Sequence, residues 1–330
     1  MKTIETIEKN THSNDITIEV KDLKKHFEDV KAVDGISFKI KKGECFGFLG
    51  PNGAGKTTTI NILSCYLDPT SGNAKVGGFD VVKEARKVKE LIGIAPQENI
   101  FYEELRTIEN VMFFGEMYLN NTSELKKRAV ELIEKVGLKD KQETKVEKLS
   151  GGMKRRLNLI IGLVHEPEIL FLDEPTAGLD PQSRRLLWDY IEELKSQGKT
   201  IFLTTHYMDE ADILSDRLAI IDHGKIIAHG TPEHLKETIG KGDLLNFKLE
   251  GTQSKIEKAI EDIKNSGDVM SADYFEEELI TRVTAMDGIG KIGKFIKMFT
   301  ENNLQITDID VQRNSLENVF LALTGRSLRE

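Results

Sequence analysis

The chain has 330 residues, enough for one large domain and a smaller one, and its 39% hydrophobic and 31% charged residues describe an ordinary globular protein. A net charge of −9 argues against a role in coating nucleic acid. No apolar run approaches the roughly 18 residues that a membrane span needs, and Met1–Thr11 is polar and charged, unlike a signal peptide.

Residues 1–15 read as a loose polar tail. Ile16–Val20 alternates apolar and polar as a half-buried strand does, and a second strand is expected at Ile36–Ile40. Phe27 lies between them, where an aromatic ring either stacks on a purine or simply packs a loop. Cys45–Leu49 is a short apolar run that reads as a buried strand, and Thr59–Leu67 places Ile60, Leu63 and Leu67 at helical spacing.

Between strand and helix stands Gly50-Pro51-Asn52-Gly53-Ala54-Gly55-Lys56-Thr57, followed by Thr58. This is the spacing of a phosphate-cradling loop: glycines turn successive N–H groups toward phosphate oxygens, and the following helix adds its positive end. Lys56 reaches the β- and γ-phosphates and the Thr57 hydroxyl ligates Mg²⁺. Cys45 and Cys65 flank this loop and read as small buried hydrophobes rather than as a disulfide.

After a turn cluster at Asp68–Gly72, a helix is expected near Val82–Leu91 and a short strand at Ile92–Ala95, with Gln97 just past its end as a metal or water ligand. From Leu105 to Val164 the texture becomes helical, with pieces near Thr107–Leu119 and Ser123–Val136. Ser150 is a natural N-cap for a third helix, which Pro167 closes; Gly151 and Gly152 make its start a second place where phosphate could bind. The basic run Lys154-Arg155-Arg156 reads as a solvated face.

Ile169–Leu172 is an apolar strand that delivers Asp173 and Glu174. Metal-assisted phosphoryl chemistry needs such a pair, one carboxylate for Mg²⁺ and its neighbour for the attacking water. A helix over Ser183–Ser196 and a strand over Thr200–Thr205 follow, the strand ending at His206; alone, that histidine reads as an ordinary core or surface residue. Strands at Arg217–Ile221 and Lys225–Ala228 and a helix opened by Thr231-Pro232-Glu233 complete the unit.

Past Gly240 the pattern changes to a small α+β arrangement. It has strands at Leu245–Leu249, Leu279–Thr284 and Ile306–Val311, room for another near Val269–Phe275, helices after a capping box at Ser254–Glu257 and over Ile289–Phe299, and a last helix from Ser315.

Together these motifs resemble the ATP-binding subunit of an ABC transporter over about residues 16–240. The resemblance implies an α/β fold of the P-loop NTPase type, a RecA-like core with antiparallel β and helical subdomains, the helical one at about 98–165, followed by an accessory α+β domain over 241–330. It makes Gly50–Thr58 the ATP-binding loop, Phe27 the adenine-stacking aromatic and Gln97 the Q-loop glutamine. Leu149–Met153 becomes the signature, reading Leu-Ser-Gly-Gly-Met where glutamine is more usual at the end. Asp173 takes the metal-side role beside Thr57 and Gln97, Glu174 that of general base, Ala177–Asp180 the D-loop and His206 the switch histidine.

The resemblance further implies a head-to-tail homodimer in which Ser150, Gly151 and Gly152 bind the nucleotide of the second copy. It also implies an integral-membrane permease as partner, ATP and Mg²⁺ as ligands, no nucleic acid, and a peripheral place at the cytoplasmic face of the membrane. The C-terminal stretch from Ser315 to Arg326 resembles the daunorubicin- and antibiotic-resistance exporters of the ABC-2 type. The alternative is an ABC-type ATPase acting on DNA or ribosomes; long coiled-coil insertions, zinc motifs and a second phosphate loop, which mark those proteins, are missing from the sequence.

Overall fold

The computed structural model describes residues 15–239, 242–275, 279–312 and 314–325. The expected tail before Asp15 and Gly240, the expected end of the first domain, lie outside these residues. The chain divides into two compact units, the first ending at Thr231 and the second beginning at Pro232.

In chain order the first unit contains β1 (Ile16–Phe27), β2 (Val30–Lys41), β3 (Cys45–Leu49), α1 (Lys56–Leu63), β4 (Ser71–Val76), β5 (Phe79–Asp80), α2 (Ala85–Leu91) and β6 (Ile92–Ala95). It continues with α3 (Thr107–Gly115), α4 (Thr122–Lys135), α5 (Gly151–Ile161), β7 (Ile169–Asp173), α6 (Pro181–Ser196), β8 (Thr200–Thr205), α7 (Met208–Leu214), β9 (Arg217–Asp222) and β10 (Lys225–Gly230).

Six strands form the central sheet in the order β10-β9-β3-β8-β7-β6, parallel throughout except for the β9–β10 hairpin. Every residue of β3, β7 and β8 is buried, which is why these strands read without the apolar/polar alternation of a half-buried strand. Parallel strands end at one edge, and ligand sites of such sheets form outside their carboxyl ends. Here that edge receives the phosphate loop from β3, Gln97 from β6, Asp173 and Glu174 from β7 and His206 from β8.

A second sheet, β2-β1-β4-β5, is antiparallel. Its inward residues share a core with the central sheet, where Phe38 stacks on Phe46 at 5.4 Å and Phe48 meets Phe202 at 5.4 Å. The helices α3, α4 and α5 close a separate core around Val111, Leu132 and Leu157.

Several expectations need correction. The first helix stops at Leu63 instead of reaching Leu67, because the chain turns left-handed at Cys65, with φ at 60°. The first strand runs on through Phe27, which pairs with Val30 instead of lying in a loop. The third helix ends at Ile161, well before Pro167.

The second unit contains α8 (Pro232–Thr238), β11 (Asp243–Glu250), α9 (Gln253–Asn265), β12 (Ser271–Phe275), β13 (Ile280–Ala285), α10 (Gly288–Glu301), β14 (Gln305–Gln312) and α11 (Leu316–Thr324). Its antiparallel sheet, β12-β13-β11-β14, shares a core of Leu245, Phe247, Phe295 and Phe299 with α9 and α10. The helix α8, read from sequence as the end of the first domain, belongs here. The Ser254–Glu257 capping box does not form: α9 starts at Gln253, so Ser254 is already inside the helix, and a cap needs an extended residue outside it.

Candidate active site

The phosphate loop leaves β3 and returns as α1, and two of its glycines, Gly50 and Gly55, are demanded by close approach. A Cβ on Gly50 would stand 2.3 Å from the Ile221 carbonyl oxygen. Gly55 has φ at 105° and its Cβ would stand 2.2 Å from the Ala32 carbonyl oxygen. The β9–β10 turn braces the loop from behind, with the Gly224 N–H donating to the Ala54 carbonyl at 3.0 Å.

Lys56, the first residue of α1, is 4% exposed and all its reach is spent inside the protein. Its Nζ donates to the carbonyls of Gly50 at 2.8 Å and Pro51 at 3.0 Å, and lies 3.0 Å from Glu174 Oε1. Glu174, 5% exposed, adopts φ of 48°, a left-handed conformation unusual for a side chain of its size. Its N–H donates to the Thr204 carbonyl at 3.0 Å. On the other carboxylate oxygen, Oε2, converge His206 Nδ1 at 3.1 Å and Gln97 Nε2 at 3.4 Å. One carboxylate therefore collects the loop lysine, the glutamine from β6 and the histidine from β8.

Asp173 closes β7 beside it, 2% exposed, with Oδ1 accepting from the Thr204 hydroxyl. Among the described residues no group of three or more His, Cys, Asp and Glu could hold a metal by itself. The candidate donors, the Thr57 hydroxyl, the Asp173 carboxylate and the Gln97 amide oxygen, are all hard oxygen atoms. That chemistry fits Mg²⁺, which characteristically binds through one or two carboxylates, substrate phosphates and water.

A cavity of about 840 Å³ opens over the loop, lined by Asn52, Gly53, Gly55, Lys56, Thr57 and Thr58, with Gln97 and Glu174 at one end. Asp29, Val30, Lys31 and Ala32 from the β1–β2 hairpin form its rim, joined by His223. From sequence, His223 reads only as a turn residue. Phe27 does not line the cavity; its ring is 45% exposed, and Lys25 Nζ lies 5.0 Å from the ring centroid.

Ser150 caps α5 as expected, its hydroxyl accepting from the Met153 N–H at 3.3 Å. Ser150, Gly151 and Gly152 do not reach the cavity of their own chain. A Cβ on Gly151 would meet no atom within 4 Å, so the fold of this chain does not itself demand glycine there.

The basic run that follows contradicts its reading as a solvated face. Arg155 and Arg156 are 7% and 9% exposed, and Arg156 donates to the Val136 carbonyl at 2.7 Å. Arg155 donates only to main-chain carbonyls, and burial holds its pKa below the usual arginine value against the pull of Asp173, Glu210 and Glu174. The physical reason is that carbonyls at strand ends, once the ladder stops, still require donors when buried.

Sequence reasoning also missed Glu210 on α7. It is fully buried and accepts from the Thr176 hydroxyl at 2.7 Å and from Trp188 Nε1 at 3.1 Å, tying the turn after β7 to α6. Burial pushes its carboxyl above the usual carboxylate range.

Residues 33–177 match the family described as ABC transporter. The linearmycin resistance ATP-binding protein LnrL of Bacillus subtilis is 41% identical over 313 residues, covering 95% of this chain and all of the relative. The daunorubicin/doxorubicin resistance ATP-binding protein DrrA of Streptomyces peucetius is 38% identical, covering 93% of this chain and 92% of the relative. A dimeric structure of the ATP-binding cassette MJ0796, in a post-hydrolysis state with ADP and Pi, superposes with a TM-score of 0.60 at 25% identity, covering 65% of this chain and 98% of that one.

Proposed function

The chain belongs to the ABC transporter ATP-binding proteins, and from that premise we propose that its ATP hydrolysis drives export of a drug, antibiotic or lipid-like substrate through a separate membrane permease. The observation that carries this reading is the convergence of Lys56, Gln97 and His206 on the Glu174 carboxylate at the end of the phosphate-loop cavity.

The loop N–H groups and Lys56 hold the β- and γ-phosphates, where the ammonium exchanges Glu174 for a phosphate oxygen. Glu174, released from that ion pair, accepts the proton of the water that attacks the γ-phosphorus as the bond to the ADP oxygen breaks. His206 and Gln97 orient the carboxylate and that water. Thr57 and Asp173, with Gln97, would hold Mg²⁺, which supplies neutralisation of the phosphate charge. Asp29–Ala32 of the β1–β2 hairpin, which line the cavity, serve the adenine end.

The catalytic unit in this reading is a head-to-tail pair of chains. The open space at Gly151 supports it, since Ser150, Gly151 and Gly152 form a helix start able to accept the γ-phosphate of a second copy. Exposed Tyr102, Phe113, Met117 and Tyr118 on the helical segment suit docking on a permease. No helix among the described residues is long and apolar enough to cross a membrane. In this reading a separate permease supplies the pore, and the chain works at the cytoplasmic face. The resistance named for LnrL and DrrA favours export over import.

ATP turnover by the parent chain and by Glu174→Gln tests the chemistry: the variant is expected to bind ATP and lose hydrolysis, and equal turnover would remove Glu174 as the base. Light scattering tests the pairing, because Glu174→Gln with ATP should run as a dimer and a persistent monomer would refute it.

A further inference from the structure

The five N–H groups of the Arg155 guanidinium meet five main-chain carbonyls. Nη1 donates to Pro96 at 2.8 Å and Gln97 at 2.7 Å; Nη2 donates to Asp173 at 2.6 Å and Glu174 at 2.5 Å; Nε donates to Pro175 at 2.8 Å. A guanidinium has five donors, so none is left for substrate.

The pairing of those carbonyls is specific. The Pro96 and Gln97 carbonyls belong to the two peptide planes on either side of the Gln97 Cα. The Asp173 and Glu174 carbonyls belong to the two planes on either side of the Glu174 Cα. One rigid fork thus fixes the backbone of both residues, and their side chains meet at 3.4 Å. Glu174 requires such holding, since its left-handed φ of 48° persists only where the surroundings over-determine it.

We propose that Arg155 is the positioning residue of this site, setting the main chain of Gln97 and Glu174 together so that amide and carboxylate address the same water. The inference rests on the assignment of Glu174 as base and adds what holds it. It also gives α5 two roles, since its first turn presents Ser150–Gly152 to a neighbouring copy while its second turn grips the base of its own chain.

Arg155→Lys tests the idea, because an ammonium has three donors on one atom and cannot span both pairs of peptide planes. In the full-length chain kcat is expected to fall roughly 10²-fold, the loss typical of a small misplacement of reacting groups. ATP affinity by direct titration should stay within about twofold, because Arg155 does not line the cavity. In the Glu174→Gln background the same change should lower the residual rate no further, since both substitutions disable one unit.

Unchanged kcat in both Arg155→Lys and Arg155→Gln overturns the proposal. So does loss of ATP binding together with kcat, which marks a structural role alone, and so does a further loss in the double variant, which marks action independent of Glu174. Full turnover by Glu174→Gln alone would instead overturn the base assignment. An inactive Glu174→Gln beside fully active Arg155→Lys and Arg155→Gln removes only the role given to Arg155.

Discussion

Replacing Lys56 by methionine should destabilise the nucleotide-free protein, through a mechanism visible in the geometry. Methionine keeps most of the side-chain length but removes the ammonium, leaving the Gly50 and Pro51 carbonyls without that donor and the Glu174 carboxylate without its counter-charge. The two side chains are 4% and 6% exposed, so water screens the loss poorly. Removing one partner of a buried pair costs about 3–5 kcal/mol. Each kcal/mol shifts the melting temperature of a unit this size by about 2–4 °C, so a fall of roughly 6–20 °C is expected.

Trp188, the only tryptophan of the chain, is buried in the first unit, and its fluorescence on heating reports that unit alone. The double variant Lys56→Met/Glu174→Gln should melt higher than Lys56→Met, because the stranded charge is gone. High salt should leave the gap between parent and single variant nearly unchanged, unlike that of a surface pair. A Lys56→Met that melts within about 2 °C of the parent, or a double variant that melts below Lys56→Met, would refute this mechanism.

Glu210 predicts a pH dependence. Burial raises its pKa, so between the ordinary value of 4.5 and the raised one the native state holds a proton that the unfolded chain has lost. Stability from this group is therefore present at low pH and lost as pH rises through that window. Glu210→Gln keeps an acceptor for Thr176 and Trp188 without the titration, so urea midpoints across a pH series should fall less steeply, and equal slopes would refute the assignment. In the second unit, Phe247→Ala removes a fully buried ring and should cost that unit about 3–5 kcal/mol, read as lost amide protection in β11, β13 and β14. No residue lining the nucleotide cavity comes from that unit, so ATP titration should be unaffected; weakened ATP binding would contradict this.

The strands of the central sheet were legible because a parallel strand buried on both faces carries a continuous apolar stretch instead of alternation, and Cys45–Leu49, Ile92–Ala95 and Thr200–Thr205, with Ile201–Leu203 at its centre, match residue for residue. Ser71–Val76 was missed because it is an exposed strand of Ser, Gly, Asn and Lys in which only Ala74 and Val76 turn inward, so composition reads it as a turn. The helix Met208–Leu214 was missed for a different reason. At seven residues it is too short for periodicity to establish, although Asp209 and Glu210 in its first turn are the charges a helix start favours.

Arg155 marks the limit more sharply. Between Lys154 and Arg156, a positive charge on a helix predicts exposure, and nothing local contradicts it. What buries Arg155 is the unmet demand of carbonyls just past the end of β6 and at the end of β7, which lie far away along the chain. Motif spacing therefore reveals the groups that touch substrate, since their chemistry constrains residue type at short range. The group proposed to hold them in place answers to the ends of two strands, and it becomes visible only when those strands stand side by side.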